Sequence, residues 1–448
     1  MWFAREPAAR PALTTGDHLV TYREVADGVD QRCHRLRTLD DAIVSLPASM
    51  TAGFVMTLLA LLELRRPVAV CSPAWTADER ASRLALLGAH VEVDADAEVV
   101  RRPPGRRAAL HPLTRLILFT TGSTGHPKAV QLSEDNIRAN TRAVIEALAF
   151  RRTDAQTLFL PLSYSFGLLG HLLPGLELGI RTDLVDRLID VAARFLENTV
   201  RGMVSGVPSH FETILRMLPP GFECDHVSHV VTAGAYSPPE LRRRLRAAFP
   251  TATIYNNYGQ TEASPRILCF SSSHPLFYTP ATGYPVGDLR VRLSENGELL
   301  VSGSQVMLGY LGDDEATRRK VTGGWLATGD LATIADDGLV TVTGRLDELV
   351  NVGGERTSTR EVEAALRRLA GVRDAAVLAV PDALYGSACI AYVEPAAAGL
   401  TEHDLIGALR RLVSGHNVPK RLHIVAALPR NQHGKIDRAA LAAIHGET

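Results

Sequence analysis

The sequence predicts an α/β protein. It has a large N-terminal domain of helix-covered parallel sheets, a β subdomain attached to that domain, and a small α+β C-terminal domain. Three observations predict this. From about residue 20 onward, apolar runs of strand length alternate with amphipathic stretches of helix length, the pattern of a mostly parallel sheet covered by helices. From about residue 282, short β-like runs alternate with turns such as Glu295-Asn296-Gly297 and Asp336-Asp337-Gly338. Beyond Asp347 the pattern mixes helix and strand. The domains are therefore placed at 1–346, with the β subdomain at about 282–343, and at 347–448. A chain of 448 residues is too long for one typical core.

Each element has a local reason. Val20 to Val25 reads as a strand passing into a helix, and Val29, Cys33 and Leu36 follow at helical spacing. Ile43 to Leu46 and Val68 to Val70 read as strands on either side of an apolar helix near residues 50–64. A helix starts near Thr76, with Asp78 and Glu79 in its first turn. Residues 101–107, rich in Arg and Pro, read as an exposed connection. Ser133 or Asp135 can cap a helix running to about Ala149. Leu158 to Ser163, Gly202 to Pro208, Val227 to Ala235 and Ala252 to Glu262 read as strands leading into polar loops. Pro238-Pro239-Glu240 starts a helix whose Arg242, Arg243, Arg244 and Arg246 read as a solvated face. In the C-terminal domain a helix spans about 359–369, a strand Ala375 to Val380, and a helix 402–412.

Composition excludes some classes. Hydrophobic residues make up 46% and charged residues 22% of the chain, and the net charge is −1. That balance gives no electrostatic reason to expect nucleic acid or an anionic membrane as partner. The five cysteines, Cys33, Cys71, Cys224, Cys269 and Cys389, are odd in number and lack CxxC spacing, so neither a disulfide framework nor a zinc site is expected. The N-terminus lacks the basic head and apolar core of a secretory signal. The apolar stretch Met50 to Leu64 is too short to span a bilayer and reads as a buried core helix. A cytoplasmic protein is expected.

One stretch stands apart. The apolar run Leu116-Ile117-Leu118-Phe119 opens into Thr120-Thr121-Gly122-Ser123-Thr124-Gly125-His126-Pro127-Lys128. Small residues let backbone N–H groups approach phosphate oxygens, hydroxyls add donors, and a cation neutralises charge. The loop is not of the Walker type, because Pro127 and Ala129 flank the lysine.

Four further polar, glycine-bearing segments follow in fixed order: Asn257–Glu262, Ala327–Asp330, Gly344–Glu355 and Pro429–Arg438. Over roughly residues 20–440 the set resembles the adenylate-forming superfamily, which holds acyl-CoA synthetases, peptide-synthetase adenylation domains and luciferases. The resemblance implies an ATP- and Mg²⁺-dependent enzyme that activates a carboxylate as an acyl-adenylate, releases pyrophosphate, and passes the acyl group to a thiol. By the same resemblance, Thr120, Thr121, Gly122, Ser123, Thr124, Gly125 and Lys128 would hold the β- and γ-phosphates of ATP. Within Asn257-Tyr258-Gly259-Gln260-Thr261-Glu262, Asn257, Tyr258 and Gly259 belong to the nucleotide site and Tyr258 would stack on adenine. Thr261 would touch the α-phosphate and Glu262 would hold Mg²⁺. Gly234-Ala235 resembles the small-residue turn along the adenine. Asp330, assisted by Arg345, would bind the ribose hydroxyls. Lys435 matches the mobile lysine of the family's C-terminal domain, which bridges the two anions that meet when the carboxylate attacks phosphorus. Asp347 falls at the hinge about which that domain would rotate, and Gly353 and Gly354 resemble the loop lining the pantetheine tunnel.

The sequence departs from the family pattern at Asn351, where lysine is frequent, at Thr359, where proline is frequent, and at Tyr164, where many acyl-CoA synthetases carry histidine. Its N-terminal region also reads as compressed. These departures leave the thiol acceptor open. Coenzyme A is the first choice, and the phosphopantetheine of an acyl or peptidyl carrier protein is the alternative. No aspartate lies in Ser163–Phe166 to hold a substrate ammonium, which disfavours an α-amino acid. Tyr164, Phe166, Gly167, Gly170, Ser205, Val207 and Pro208 read as a mainly apolar wall suited to a fatty, branched or aromatic acid, with His171 and His210 in structural roles. Two other classes compete with the ligase. A non-catalytic nucleotide-binding regulator is opposed by the intact Lys435, Glu262 and Asp330. A phosphoryl-transferring kinase is opposed by Pro127 and Ala129.

Overall fold

The computed structural model describes residues 2–4, 9–39, 43–88, 91–101, 109–120, 128–151, 155–346, 349–352, 355–382, 386–397, 399–413, 418–431 and 436–444. The chain divides into two compact units. One holds Met1–Arg292, Leu300–Thr328 and Ile334–Thr341, and the other holds Leu293–Leu299, Gly329–Thr333 and Val342–Thr448.

The first unit is built on two large sheets. The nine-stranded sheet runs in the order Tyr284–Pro285, Arg266–Ser271, Thr253–Gly259, Val227–Thr232, Gly202–Gly206, Ala155–Leu158, Arg181–Leu184, Pro11–Thr15, His18–Thr21. Its interior pairs are parallel, as the alternation of strand and helix predicts, and antiparallel pairs close both ends. The seven-stranded sheet runs Gly309–Tyr310, Lys128–Ser133, Thr114–Thr120, Val68–Cys71, Val44–Pro47, Val91–Val93, Val99–Arg101. Helices begin where the sequence places hydroxyl caps. Thr21 caps Tyr22–Leu36 and Thr76 caps Ala77–Leu87, each reciprocated by a glutamate three residues on. Ser133 caps Glu134–Ala147. The apolar helix Ala52–Glu63 is buried from Phe54 through Leu62, as its uniform hydrophobicity requires.

Two readings are corrected. Leu158 to Ser163 is not a strand: the strand is Ala155–Leu158, and Leu160 to Ser163 bends toward the short helix Ser165–Gly167. Pro161 offers no N–H for continued pairing there. Arg242 does not lie on a solvated face either. It is fully buried on the helix Pro239–Ala248 and donates to the carbonyls of Phe277 and Thr279. A guanidinium matches two fixed carbonyls as well as it matches water, so a run of arginines need not be uniformly exposed.

Residues 282–343 are rich in short strands, as expected. A five-stranded sheet runs Arg290–Leu293, Glu298–Ser302, Trp325–Ile334, Val321–Thr322, with Val340–Arg345 also paired to Trp325–Ile334. Gly297 and Gly338, at the predicted turns, have φ of +79° and +87°, the left-handed region that glycine enters freely. Tyr284–Pro285 and Gly309–Tyr310 join the two large sheets instead.

The second unit contains a three-stranded sheet, Val372–Asp382, Gly386–Pro395 and Arg421–Ile424, covered by Thr359–Arg367, Glu402–Leu409 and Arg438–Ile444. Its core gathers Val362, Leu366, Val377, Ala391, Leu405 and Leu422. All five cysteines are free thiols. Among the described residues no helix is long and apolar enough to cross a membrane.

Candidate active site

The phosphate-type loop hangs on a hairpin. Thr114–Thr120 and Lys128–Ser133 pair antiparallel, with Thr120 opposite Lys128 at the mouth. Thr121, Gly122, Ser123, Thr124 and Gly125 lie outside the described residues. The ammonium of Lys128 sits 4.7 Å from the centroid of the Tyr310 ring, a cation–π distance. Tyr310 arrives through Gly309–Tyr310, which adds a short strand to this hairpin. That segment is sewn in by Asn136, whose Nδ2 donates to the carbonyls of Ser304 and Val306 at 2.7 and 2.8 Å.

The Tyr310 hydroxyl donates to Glu262 Oε1 at 2.8 Å. Glu262 is 8% exposed, and its carbonyl accepts from the Met307 N–H at 2.9 Å. Burial raises the Tyr310 hydroxyl far above its usual value, and the adjacent Glu262 charge adds to the rise, so Tyr310 remains a donor. Thr261 opens the turn Thr261–Ala263, and its Oγ1 lies 2.9 Å from Ser165 Oγ. A loop carboxylate, two hydroxyls and a lysine are thus held by elements of one unit. No group of three or more metal-type ligands occurs among the described residues.

Asn257, Tyr258 and Gly259 end the strand Thr253–Gly259. A Cβ at Gly259 would stand 1.8 Å from the Pro265 carbonyl oxygen, so only glycine lets the strand and its partner approach here. Asn257 is buried, and neither its Oδ1 nor its Nδ2 has a partner among the described residues. A side-chain amide whose two polar atoms are left unmet in the interior marks a place for a polar ligand or water. Gly234, at φ +82°, and Ala235 form an exposed turn. Tyr164 precedes the short helix Ser165–Gly167, and a Cβ at Gly167 would come within 2.8 Å of the Pro161 carbonyl. Phe166 packs edge-on against His171 at 4.9 Å, and His171 Nδ1 is 3.2 Å from Ser205 Oγ. His210, which burial moves below the ordinary histidine value, packs on Phe159 at 5.6 Å.

In the second unit, Arg345 Nη1 bonds Asp330 Oδ1 at 3.3 Å, and the Gly329 N–H donates to Glu298 Oε1 at 2.7 Å. A Cβ at Gly329 would lie 3.4 Å from Arg345 Nη2. Asp347, Gly353, Gly354 and Lys435 lie outside the described residues. The ends of the segment that carries Lys435 are anchored. Arg430 and Ile436 form an antiparallel bridge, and the Asp437 N–H donates to the Pro429 carbonyl at 2.8 Å. Arg438 donates twice to buried Glu363, at 2.9 and 2.7 Å, and Arg430 pairs with Asp374.

The sequence reading did not find Tyr310, Ser165 or Asn136. Each acts across the fold, 48, 96 and about 170 residues from its partner, and no local spacing marks such pairs.

Comparison with known proteins places this arrangement. A family model described as "AMP-binding enzyme" matches residues 95–311, and its C-terminal domain model matches residues 361–435. A 3-[(3aS,4S,7aS)-7a-methyl-1,5-dioxo-octahydro-1H-inden-4-yl]propanoyl:CoA ligase of Rhodococcus jostii is 31% identical over 78% of this chain and 68% of its own length. The chain belongs to the AMP-binding enzyme family. Within this adenylate-forming superfamily it is an acid–thiol ligase. An oxalate–CoA ligase of Arabidopsis thaliana is 27% identical over 97% of this chain and 95% of its own length. The o-succinylbenzoate coenzyme A synthetase of Bacillus subtilis, solved with ATP and magnesium, superposes with a TM-score of 0.83 over 96% of each chain at 22% identity. The superfamily's α/β fold, with its small C-terminal domain, is the fold seen here.

Proposed function

We propose that this AMP-binding enzyme activates a small carboxylic acid with ATP and Mg²⁺, releases pyrophosphate, and transfers the acyl group to coenzyme A. The observation that carries the reading is the buried Glu262–Tyr310 pair at the foot of the loop that begins at Thr120, with Lys128 over the same ring and Thr261 beside Ser165. Phosphate chemistry needs this set: a fixed carboxylate for Mg²⁺, a cation, and hydroxyl donors near the α-phosphate. Coenzyme A as acceptor is supported by relatives named as coenzyme A ligases.

Each residue has a proposed part. Thr120 to Lys128 cradle the outer phosphates, Tyr258 stacks on the adenine beside Gly234 and Ala235, and the unmet amide of Asn257 reaches the nucleotide. Asp330, steadied by Arg345, takes the ribose hydroxyls. Magnesium bound at Glu262 would neutralise charge on the phosphates. Lys435 bridges the attacking carboxylate and the α-phosphate, where a preorganised cation lowers the barrier most. The C-terminal domain, from about residue 347 with its pivot at Asp347, then exchanges Lys435 for the Gly353-Gly354 loop so that a thiol can attack. Phe166, Gly167, Ser205 and Tyr164 line the acid's place.

The test is pyrophosphate release with a panel of acids, with and without coenzyme A. Release that needs an acid and rises with coenzyme A is the expected result. Release that ignores coenzyme A would move the acceptor to a carrier protein. No release from any acid would defeat the ligase reading in favour of a nucleotide-binding regulator.

A further inference from the structure

Arg266 is a buried positive charge that the described residues leave unanswered. It opens the strand Arg266–Ser271, three residues beyond the turn Thr261–Ala263. It is 3% exposed, and neither Nη1 nor Nη2 has a hydrogen-bond partner among the described residues. Its backbone is pinned, since its N–H donates to Asn140 Oδ1 at 3.1 Å. Its guanidinium carbon lies 5.7 Å from the centroid of Phe166. A Cβ at Gly170 would stand 3.3 Å from Nη2 and 3.2 Å from Phe166 Cδ2, so glycine at 170 is what leaves the guanidinium its place.

Among the described residues, the neighbours do not supply a counter-charge. Burial lowers Arg266 to about 10, so it is still protonated at neutral pH. Burial pushes the Cys269 thiol up to about 12, so that thiol is neutral. His171 is fully buried, its Nε2 has no partner among the described residues, and burial together with the Arg266 charge keeps it neutral. A guanidinium presents N–H donors in a fork that fits a carboxylate bidentately. Left dry and unpaired it is among the costliest groups a fold can carry. Phe166, Gly170 and Ser205, the residues around Arg266 and His171, are those assigned above to the wall of the acid's pocket.

We propose that Arg266 receives a second carboxylate of the substrate, at the end remote from the carboxyl that is activated, and that His171 Nε2 adds a polar contact there. The substrate class is then a dicarboxylic acid rather than a plain fatty acid. An apolar acyl chain would leave the charge buried and unmet. A remote carboxylate neutralises it and fixes the acid's orientation. This inference rests on the ligase reading.

The test compares matched acids of one length, such as butyrate with succinate and 4-methylbenzoate with terephthalate, on the full chain. Binding is read by calorimetry in the presence of a non-hydrolysable ATP analogue, and turnover by pyrophosphate release. The wild type is expected to prefer the diacid. Arg266→Met is expected to cut kcat/KM for the diacid by about 10²-fold, mostly through KM, and to reverse the preference. Arg266→Lys, which keeps the charge but not the fork, should restore part of it. If Arg266→Met does not fold, Gly170→Ala, which crowds Nη2, should lower the diacid-to-monoacid ratio on its own. A wild type with no diacid preference overturns the proposal. So does a ratio unchanged by the substitution, or an equal loss for both acids, which would place the reacting carboxyl at Arg266. Binding that follows this pattern without pyrophosphate release would defeat the ligase reading alone.

Discussion

Tyr310 holds the carboxylate proposed above for Mg²⁺, and that makes a defined prediction. Its hydroxyl meets Glu262 Oε1 at 2.8 Å inside the protein. A hydrogen bond to a buried charge is worth about 1.5–3 kcal/mol. Tyr310→Phe should lower stability by that amount and raise the Mg²⁺ concentration needed for half-maximal pyrophosphate release, while KM for the acid stays near wild type. An unchanged Mg²⁺ titration would mean that Tyr310 does not act on Glu262. His171 makes a second prediction. Its folded-state pKa is depressed well below the unfolded value of 6.5, so the unfolded chain binds the extra proton. Stability is then full above about pH 6.5 and is lost as pH falls below it, by up to about 1.4 kcal/mol per pH unit for one such histidine. Urea midpoints measured at pH 7.5 and 5.5 should show a smaller difference in His171→Gln. Equal differences in both proteins would disprove the assignment.

Among the elements, two neighbouring strands near one end of the nine-stranded sheet carry the residues proposed to meet the nucleotide. Thr253–Gly259 and Arg266–Ser271 pair antiparallel, with an irregularity between Tyr258 and Gly259. There the Pro265 carbonyl passes where a side chain would be. Gly259→Ala forces a methyl group within 1.8 Å of that oxygen, and the strands must part. The expected cost is about 1–3 kcal/mol, seen as a lower melting temperature, with adenylation falling further than stability because Asn257, Tyr258 and Thr261 shift together. A melting curve and a rate equal to wild type would show that the hairpin absorbs the methyl without moving. The segment 304–311 is the second organising element. It bonds to Asn136, to Glu262 and to the strand Lys128–Ser133, and so ties the loop hairpin to the Thr261–Ala263 turn within one unit.

At the scale of the whole molecule the proposed cycle separates two half-reactions. Lys435→Ala should abolish adenylation, read as ATP–pyrophosphate exchange, while ATP still binds by calorimetry. Ordinary exchange in that variant would remove Lys435 from the mechanism. Asp347→Pro stiffens the expected pivot, because proline fixes φ. It should slow thioester formation more than adenylation. Equal slowing of both steps would count against rotation about that residue. The proportion legible in advance differs by scale. Helix starts at Thr21, Thr76 and Ser133 could be read directly, since a cap is a local hydrogen bond between a side chain and the next turn. The parallel interior of the nine-stranded sheet was legible from alternation. Arg242 misled, because a charged residue on a helix looks solvated until the carbonyls of Phe277 and Thr279 are seen beside it.

The sequence by itself determined the family, the order of the motif segments, the α/β class and the identity of the residues expected to meet ATP. These are properties of residue type and spacing along one chain. Only the tertiary structure decided that Glu262 is held by Tyr310, that Thr261 is paired with Ser165, that Lys128 rests on an aromatic face, and that Arg266 is buried with neither Nη1 nor Nη2 bonded among the described residues. The physical reason is the same in each case. A hydrogen bond, a cation–π contact and a desolvation cost depend on which atoms lie within a few ångströms. Distant stretches are brought that close by the pairing of strands and the packing of helices, and no one of those stretches records it alone.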